Sequence, residues 1–158
     1  MVIITETIKI VDLTKIDEIT FEKRYVGCLV LTQDNKILLQ QRGSSKYHKF
    51  PGFLSTFGGC IESGESPMQA LVRELKEELG ADIVAAEVIH LGAYTEVATN
   101  YTDLVYSYFW HDRLGTITGC YEDEARYYEN CAHVFTHKKI MDDVKWQLQE
   151  CQNKGLLK

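Results

Sequence analysis

The chain has 158 residues, which suits one ordinary domain with its own hydrophobic core. Hydrophobic residues make up 45% and charged residues 25% of it, values that exclude a disordered chain, a collagen-like repeat and a small disulfide scaffold. The 23 acidic residues outnumber the 17 lysines and arginines, so the formal charge is -6. This balance argues against direct binding of nucleic acid or an anionic membrane, although metal ions would still let the protein handle a phosphorylated ligand.

The five cysteines predict free thiols rather than a structural crosslink. They form no C-x-x-C pair and their number is odd, so they suggest neither a closed disulfide framework nor a zinc site. The N-terminal segment MVIITETIKIVDLTKIDEIT lacks the features of a signal peptide, and no apolar run approaches the roughly 18 residues that span a bilayer. We therefore expect a soluble cytoplasmic protein without a membrane partner.

The first predicted elements are strands. Residues 1–24 alternate loosely between apolar and polar side chains, which predicts either an edge strand or an oligomer contact, as in a homodimer. Residues 25–42 predict a strand, a turn at Asp34 and Asn35, and a second strand, that is, a β-hairpin in the core. Residues 53–61 predict a shorter strand that ends in glycines.

A helix is predicted next, over residues 67–79. Ser66 is a suitable N-cap, Pro67 suits the first helical position, and Gln69 completes a capping box. Gly80 supplies the end of the helix. The apolar side chains fall on one stripe that should face the core, formed by Met68, Leu71, Val72, Leu75 and Leu79.

The remaining elements complete an α/β pattern. Strands are predicted at 83–92, 104–111 and 115–118, and the apolar spacing of Ile140, Val144 and Leu148 predicts a closing helix over 137–151. Strands interleaved with two helices indicate an α/β sandwich, and we expect residues 1–158 to form a single domain.

Three glutamates of the predicted helix share one flank. Glu74 and Glu78 lie one turn apart, and Glu77 lies beside them. Exposed like charges at this spacing repel by about 0.2–0.5 kcal/mol per pair, and a divalent cation would reverse the sign of that cost. Oxygen ligands of this kind suit Mg²⁺ or Mn²⁺, which also take phosphate oxygens. The alternative is a solvated face on which Arg73 and Glu77 form a surface ion pair.

The segment GGCIESGESPMQALVRELKEELGA, residues 58–81, resembles the Nudix box, G-x5-E-x7-R-E-U-x-E-E-x-G-U, where U is a bulky aliphatic residue. The matching positions are Gly59, Glu65, Arg73, Glu74, Leu75, Glu77, Glu78 and Gly80. Only the last position of the box, residues 59–81, departs from the pattern, because Ala81 replaces a larger aliphatic residue. A match this long is far more specific than a lone glycine motif.

The resemblance implies both a fold and an activity. The fold is a Nudix-type α/β/α sandwich with a mixed central sheet, in which the box forms a loop, a helix and a loop. The activity is Mg²⁺- or Mn²⁺-dependent hydrolysis of a diphosphate bond, by attack of water on phosphorus. The expected substrate is a small nucleotide, a nucleoside diphosphate linked to another group.

Two alternatives to a hydrolase stay open. One is a noncatalytic Nudix sensor that binds a nucleotide. The other is an enzyme like isopentenyl diphosphate isomerase, because the stretch LLQQRGSSKYHKFPGFLSTFGG carries R-x3-K and P-G-x-L elements that look like the loop of that isomerase. The intact box favours the hydrolase, and the cysteine that the isomerase needs for protonation would fall at Gly58.

Roles within the box follow from the resemblance, residue by residue. It implies that Glu77 and Glu78 are metal ligands and that Glu74 is a ligand or the general base. Gly58 would present its backbone carbonyl to the metal. Arg73 would hold the glutamates in place through charge-assisted hydrogen bonds.

Further candidates lie outside the box. The resemblance implies another acid on a loop after the third major strand, and YEDEARYY, residues 121–128, lies in that region. Either Glu122 or Glu124 is the candidate for this additional ligand or base, with an acidic surface turn as the alternative. Upstream, Arg42, Lys46 and Lys49 are placed to meet phosphate, although a solvated loop would also explain the two lysines. Several aromatic residues would either stack on a base or fill the core, namely Tyr94, Tyr101, Tyr106, Phe109 and Trp110. Of these, Tyr106 is the candidate for contact with the substrate.

Overall fold

A computed structural model describes residues 7–43 and 50–158. The strands are β1 (Ile8–Val11), β2 (Lys23–Leu31), β3 (Ile37–Gln41), β4 (Leu54–Ser55), β5 (Phe57–Cys60), β6 (Ile89–Glu96), β7 (Asp103–His111) and β8 (Glu124–Tyr128). The helices are α1 (Pro67–Leu79), α2 (Cys131–Val134) and α3 (Asp142–Asn153). Short 3-10 turns lie at Leu13–Glu18, Ala85–Glu87 and Val97–Thr99.

In the described part of the chain, the strands form one mixed sheet in the order β1-β6-β7-β2-β3-β4, with β5 also paired to β2 and β8 to β3. The β2 and β7 strands run parallel, and the other pairs are antiparallel. Two core clusters occupy opposite faces of this sheet. One includes the apolar side of α1, and the other includes that of α3. The predicted α/β sandwich is confirmed.

The central strand β2 is apolar on both sides because both faces are covered. Leu29 and Leu31 pack in the cluster of α3, whereas Cys28 and Val30 pack in the cluster of α1. Successive side chains of a strand point to opposite faces, so an unbroken apolar run is the pattern expected of a strand buried on both sides. This is why the run GCLVL shows no alternation.

The predicted hairpin is confirmed, and it opens into a cleft. Asn35 adopts a left-handed conformation in the turn. The two strands pair only near that turn, at Val30 with Leu38 and at Leu31 with Ile37. Further along, β5 takes the place of β3 beside β2, while β4 and β8 pair with β3. The two halves of the sheet therefore separate, and a cleft forms between them.

Two of the predicted strands are wrong, one in its start and one altogether. The strand predicted at 83–92 begins only at Ile89, because residues 85–87 form a 3-10 turn. Residues 115–118 form no strand. The carboxylate of Asp112 accepts the backbone N–H groups of Thr116 at 2.9 Å and Ile117 at 3.0 Å, so a side chain takes the place of a partner strand.

The later part of the chain also differs from the prediction. Residues 124–128, predicted as a loop, form β8 and pair along the whole of β3. The closing helix starts at Asp142 instead of residue 137. The preceding residues are extended because Leu54 donates to the Lys139 carbonyl and accepts from the Met141 N–H. Long-range pairing therefore sets where this helix begins.

The N-terminal segment contributes β1, which pairs antiparallel with β6 at one end of the strand order. Ile10 of this strand is exposed. No helix in residues 7–43 or 50–158 is long and apolar enough to cross a membrane. A homodimer contact through this segment stays a prediction.

Candidate active site

The helix that carries the box begins and ends where its sequence predicts. Ser66 accepts from the Gln69 N–H at 3.1 Å, and the Gln69 side chain accepts from the Ser66 N–H at 2.9 Å. Gly80 ends the helix in a left-handed conformation. The predicted apolar stripe of the helix packs against the core except at Val72, which is 39% exposed. Glu78 instead takes a buried place on the inner side of the helix.

Arg73 connects the helix to the loop before it. Its guanidinium donates to both carboxylate oxygens of Glu65, at 2.8 and 2.9 Å, and to the Cys60 carbonyl at 3.1 Å. It also donates to Glu74 at 2.8 Å and lies 3.6 Å from the Glu77 carboxylate. The hydrogen bonds from Arg73 lower the pKa of Glu65 to about 2. This arrangement keeps Glu65 charged and restrains Glu74 on the same side of the helix.

Glu78 is the most unusual group of the box. Its side chain is 1% exposed, and its carboxylate accepts the Gly58 N–H at 3.2 and 3.3 Å. Burial, and after it the charge of Glu122, raises the pKa of Glu78 to about 9. Burial also raises the pKa of Glu74, with further contributions from Glu77 and Glu122. These shifts show that the carboxylates lie close enough to disfavour each other's charge.

The glycine pair before the helix lets the backbone approach these carboxylates. Gly58 has a φ of +148°, and a Cβ there would collide with the Val26 carbonyl oxygen. A Cβ on Gly59 would collide with the carboxylate of Glu74. A larger residue at Gly58 would push β5 away from β2, and one at Gly59 would push the strand away from α1, so both positions require glycine.

The donor set suits a hard divalent cation. A buried carboxylate whose charge is disfavoured is the group that a bound cation would stabilise most. Carboxylate oxygens are also the ligands that Mg²⁺ and Mn²⁺ take. As the side chains stand in residues 7–43 and 50–158, no three acidic, His or Cys groups form a ready ligand set. Arg73 holds Glu74, so Glu74 would have to turn to join Glu78 on one ion.

A cleft of about 380 Å³ runs between the two halves of the sheet. Gly58, Gly59, Glu78 and Glu122 line it at the box. Glu74 lies directly behind Gly59, and the Glu77 side chain is 55% exposed. The structure thus brings Gly58, Glu74, Glu78 and Glu122 together, with Glu77 at the exposed edge.

Three of the predicted substrate residues fall elsewhere or outside the described chain. Arg42 lines the cleft. Tyr106 does not: its ring packs with the core cluster of α1, and its hydroxyl accepts from Arg24 at 2.9 Å. For Tyr106 the core alternative is therefore the one observed. Lys46 and Lys49 lie outside the described residues.

Glu124 is placed differently from Glu122. It lies on β8, its side chain is 61% exposed, and it pairs with Arg126 at 3.1 Å. It is not among the residues that line the cleft. The placement favours Glu122 over Glu124 as the acid supplied by this segment.

The sequence did not single out several residues that line the cleft away from the box, namely Gln40, Glu96, Asp103 and Asp143, whereas Tyr94, one of the aromatic candidates, does line it. Burial and the charge of Asp143 raise the pKa of Glu96 to about 7, and burial raises the pKa of Asp143. One signal was available: Gln40 and Gln41 are polar residues at the end of an apolar strand. The acids come from separate elements and have no shared spacing.

Comparison with known proteins places this fold and motif in a family. The NUDIX domain family matches residues 22–150. The ADP-ribose pyrophosphatase of Methanocaldococcus jannaschii is 33% identical over 75% of this chain and 71% of its own length. The isopentenyl-diphosphate Delta-isomerase of Serratia proteamaculans is 31% identical over 61% of this chain, and the match spans about half of its length, 52%.

Solved structures share the fold at low sequence identity. The MutT protein from Methanosarcina mazei Go1 superposes with a TM-score of 0.70, covering 86% of this chain and 96% of the other at 15% identity. The fold is therefore the Nudix fold, with a mixed sheet between helices. With the family match over most of its length and the box helix in place, the chain belongs to the Nudix hydrolase family.

Proposed function

We propose that this protein hydrolyses a diphosphate bond of a small nucleotide with the help of Mg²⁺ or Mn²⁺. The observation that carries the proposal is the buried carboxylate of Glu78, set against the Gly58 N–H and facing a cleft that Glu122 also lines. Such a charge is costly without a cation. The relative from M. jannaschii, an ADP-ribose pyrophosphatase, agrees with this reaction class.

The residues of the box and Glu122 have different roles in this proposal. Glu78 and Glu74, with Glu77 at the exposed edge, would hold the metal, and the Gly58 carbonyl would add a backbone oxygen. A divalent metal bound there neutralises the diphosphate and lowers the pKa of the attacking water. Arg73 restrains Glu74 through the hydrogen bonds described above. Glu122 faces the same cleft and is our candidate to accept the proton from water.

On the far side of the cleft, Arg42 meets the substrate. It directly follows β3, before the segment that the structure leaves undescribed. A guanidinium can bind a phosphate through two parallel hydrogen bonds, so Arg42 would orient the diphosphate between the two walls. Lys46 and Lys49 stay predictions for the same task.

The test is hydrolysis in water labelled with ¹⁸O, with Mg²⁺ and a panel of nucleoside triphosphates, dinucleoside polyphosphates, nucleotide sugars and prenyl diphosphates. We expect label in a phosphate product for at least one nucleotide. Glu78→Gln and Glu122→Gln should each lower kcat by about 10²-fold or more. Glu87→Gln, an exposed acid away from the cleft, is the matched control. The hydrolase proposal fails if no compound is cleaved, or if Glu78→Gln retains full activity.

The same panel separates the two alternatives. A noncatalytic sensor would bind a nucleotide tightly without releasing product. An isomerase would move the double bond of a prenyl diphosphate without releasing phosphate. The backbone at Gly58 weighs against the isomerase, because the cysteine that it needs would collide with the Val26 carbonyl oxygen there.

A further inference from the structure

The cleft continues beyond the box to a second polar region that the reaction above does not use. We call this region the far pocket and define it by Gln40, Tyr94, Glu96 and Asp143, all of which line the cleft; Arg42, assigned above to the diphosphate, adjoins it. Gln40 lies on β3, and Arg42 directly follows the end of that strand. The positive charge of Arg42 opposes the rise in the pKa of both Glu96 and Asp143, so its guanidinium lies near the two acids.

Gln40 has a buried acceptor that lacks a donor. Its side chain is only 6% exposed, and its Nε2 donates to the Thr56 carbonyl at 2.9 Å. That hydrogen bond fixes which way the amide points. Its Oε1 is buried and has no hydrogen-bond partner among the described residues. A buried acceptor left unpaired is costly, so a ligand that donates an N–H to it would be favoured.

The two acids add acceptors to the same pocket. Asp143 accepts from the Tyr94 hydroxyl at 2.8 Å and from the Val144 N–H at 2.9 Å, which fix the orientation of its carboxylate. Glu96 is the last residue of β6, and it lines the cleft. Asp103, the first residue of β7, also lines the cleft. Among the described residues, Arg42 is the only cationic side chain of the lining. Acceptors therefore outnumber donors in this part of the cleft.

The lining beside these acceptors includes a glycine and several apolar or aromatic side chains. Gly27, in the middle of β2, has no side chain to fill the cleft, and Val105 lies beside it on β7. A Cβ on Gly27 would come within 3.4 Å of Thr56, 3.6 Å of Gln147 and 3.7 Å of Val105, so glycine keeps open a space that is bordered by these side chains. Tyr25, Phe50 and Met141 are among the other lining residues. A flat aromatic ligand with N–H donors along its edge fits these features.

We propose that the far pocket binds the base of the substrate nucleotide and selects a base whose edge carries an amino group, through Gln40 Oε1 and the Glu96 carboxylate. Cytosine and adenine present such an amino group. Uracil and hypoxanthine place a carbonyl oxygen there, which would face acceptors and be repelled. The proposal rests on the proposed function only in assuming that the phosphates lie at the box.

The test compares matched nucleotides that differ at this one group. Calorimetry would measure the binding of CMP against UMP and of AMP against IMP, which requires no hydrolysis. We expect the wild-type protein to bind the amino-bearing member of at least one pair about tenfold more tightly. The ratios of kcat/KM for CTP against UTP and for ATP against ITP, measured with Mg²⁺, should follow the same preference.

Two variants connect the preference to the pocket. Glu96→Gln supplies an amide that can donate to a carbonyl, so the affinity for UMP or IMP should rise and the preference should fall about tenfold. Gln40→Met removes the buried acceptor and should lower the affinity for the amino-bearing nucleotide. Glu87→Gln, remote from the cleft, should leave the preference unchanged. Near-ultraviolet circular dichroism checks that each variant is folded.

The outcomes separate this proposal from the hydrolase proposal. A base preference that disappears in Glu96→Gln, without hydrolysis of any nucleotide, would support the far pocket and overturn the hydrolase. Hydrolysis with equal binding of amino and carbonyl bases would overturn the far pocket alone. Binding that follows only the sugar or a prenyl chain would overturn it as well.

Discussion

At the scale of single residues, Glu78 is a buried carboxyl group, and its burial should make the stability of the metal-free protein depend on pH. In the metal-free protein its pKa of about 9 lies above its ordinary value. At a pH between the ordinary glutamate pKa and about 9, Glu78 is protonated in the folded protein and ionised in the unfolded chain. The free energy of unfolding should therefore fall as the pH rises from about 5 toward 9.

Glu78→Gln should remove this part of the pH dependence. We expect the variant to be more stable than the wild type at pH 8 in EDTA by on the order of 1–3 kcal/mol, because no buried charge has to form. The two proteins should differ little at pH 5. Urea unfolding at several pH values measures this, with exposed Glu77→Gln as the control. Parallel pH profiles for wild type and Glu78→Gln would contradict the assignment.

Arg73 acts through geometry as well as charge. Its planar guanidinium reaches Glu65, Glu74 and the Cys60 carbonyl at once, which a lysine ammonium cannot do. Arg73→Lys should lower kcat/KM by about 10–100-fold, as is typical of residues that orient metal ligands through hydrogen bonds. Lys76→Gln, which loses only an exposed ion pair with Asp82, should stay near the wild-type value. An unchanged rate in Arg73→Lys would show that charge alone suffices at this position.

At the scale of elements, the ends of α1 show which features are local. The Ser66 cap and the Gly80 stop involve contacts within a few residues, and both are as the sequence predicts. The start of α3 and the strand β8 are set by pairing with distant segments, and both differ from the prediction. Local hydrogen bonds can be inferred from short motifs, whereas pairing partners far apart in the chain cannot.

Two glycines that flank α1, Gly64 before it and Gly80 at its end, offer a matched pair of substitutions. Gly80 and Gly64 have φ values of +65° and +83°. A Cβ on Gly80 would collide with the Thr118 hydroxyl, whereas one on Gly64 meets no atom within 4 Å. Gly64→Ala should cost about 1–2 kcal/mol from backbone conformation, and Gly80→Ala should cost about 1–3 kcal/mol more. Thermal or urea unfolding measures both, and equal losses would contradict the contact with Thr118.

At the scale of the whole molecule, several of the acidic residues behind the formal charge of -6 lie in one cleft. Glu78 and Glu122 line one end of the cleft, and Glu96, Asp103 and Asp143 line the other. Only Arg42 opposes them among the described lining residues. The cleft therefore holds five carboxyl groups opposite one guanidinium, and a divalent metal would stabilise the ionised carboxylates and make the cleft receptive to a polyphosphate.

Metal binding should accordingly stabilise the folded protein. At about 100 times its Kd, a cation that binds only the folded state contributes about 2.7 kcal/mol. For a chain of this size we expect Tm to rise by about 5–10 °C on saturation with Mg²⁺ or Mn²⁺. Differential scanning calorimetry measures the shift. The double variant Glu77→Gln, Glu78→Gln should lose it, and an equal shift in that variant would place the cation elsewhere.

The sequence by itself determined the family, the α/β sandwich and the box helix with Arg73, Glu74, Glu77 and Glu78. These features depend on residues close together in the chain, where spacing translates directly into position on a helix. Only the tertiary structure decided that Glu122 and not Glu124 lines the cleft, and that Tyr106 packs in the core. It alone brought Gln40, Glu96 and Asp143 into one pocket. Their elements meet because the sheet separates between β2 and β3, and no local pattern encodes that separation.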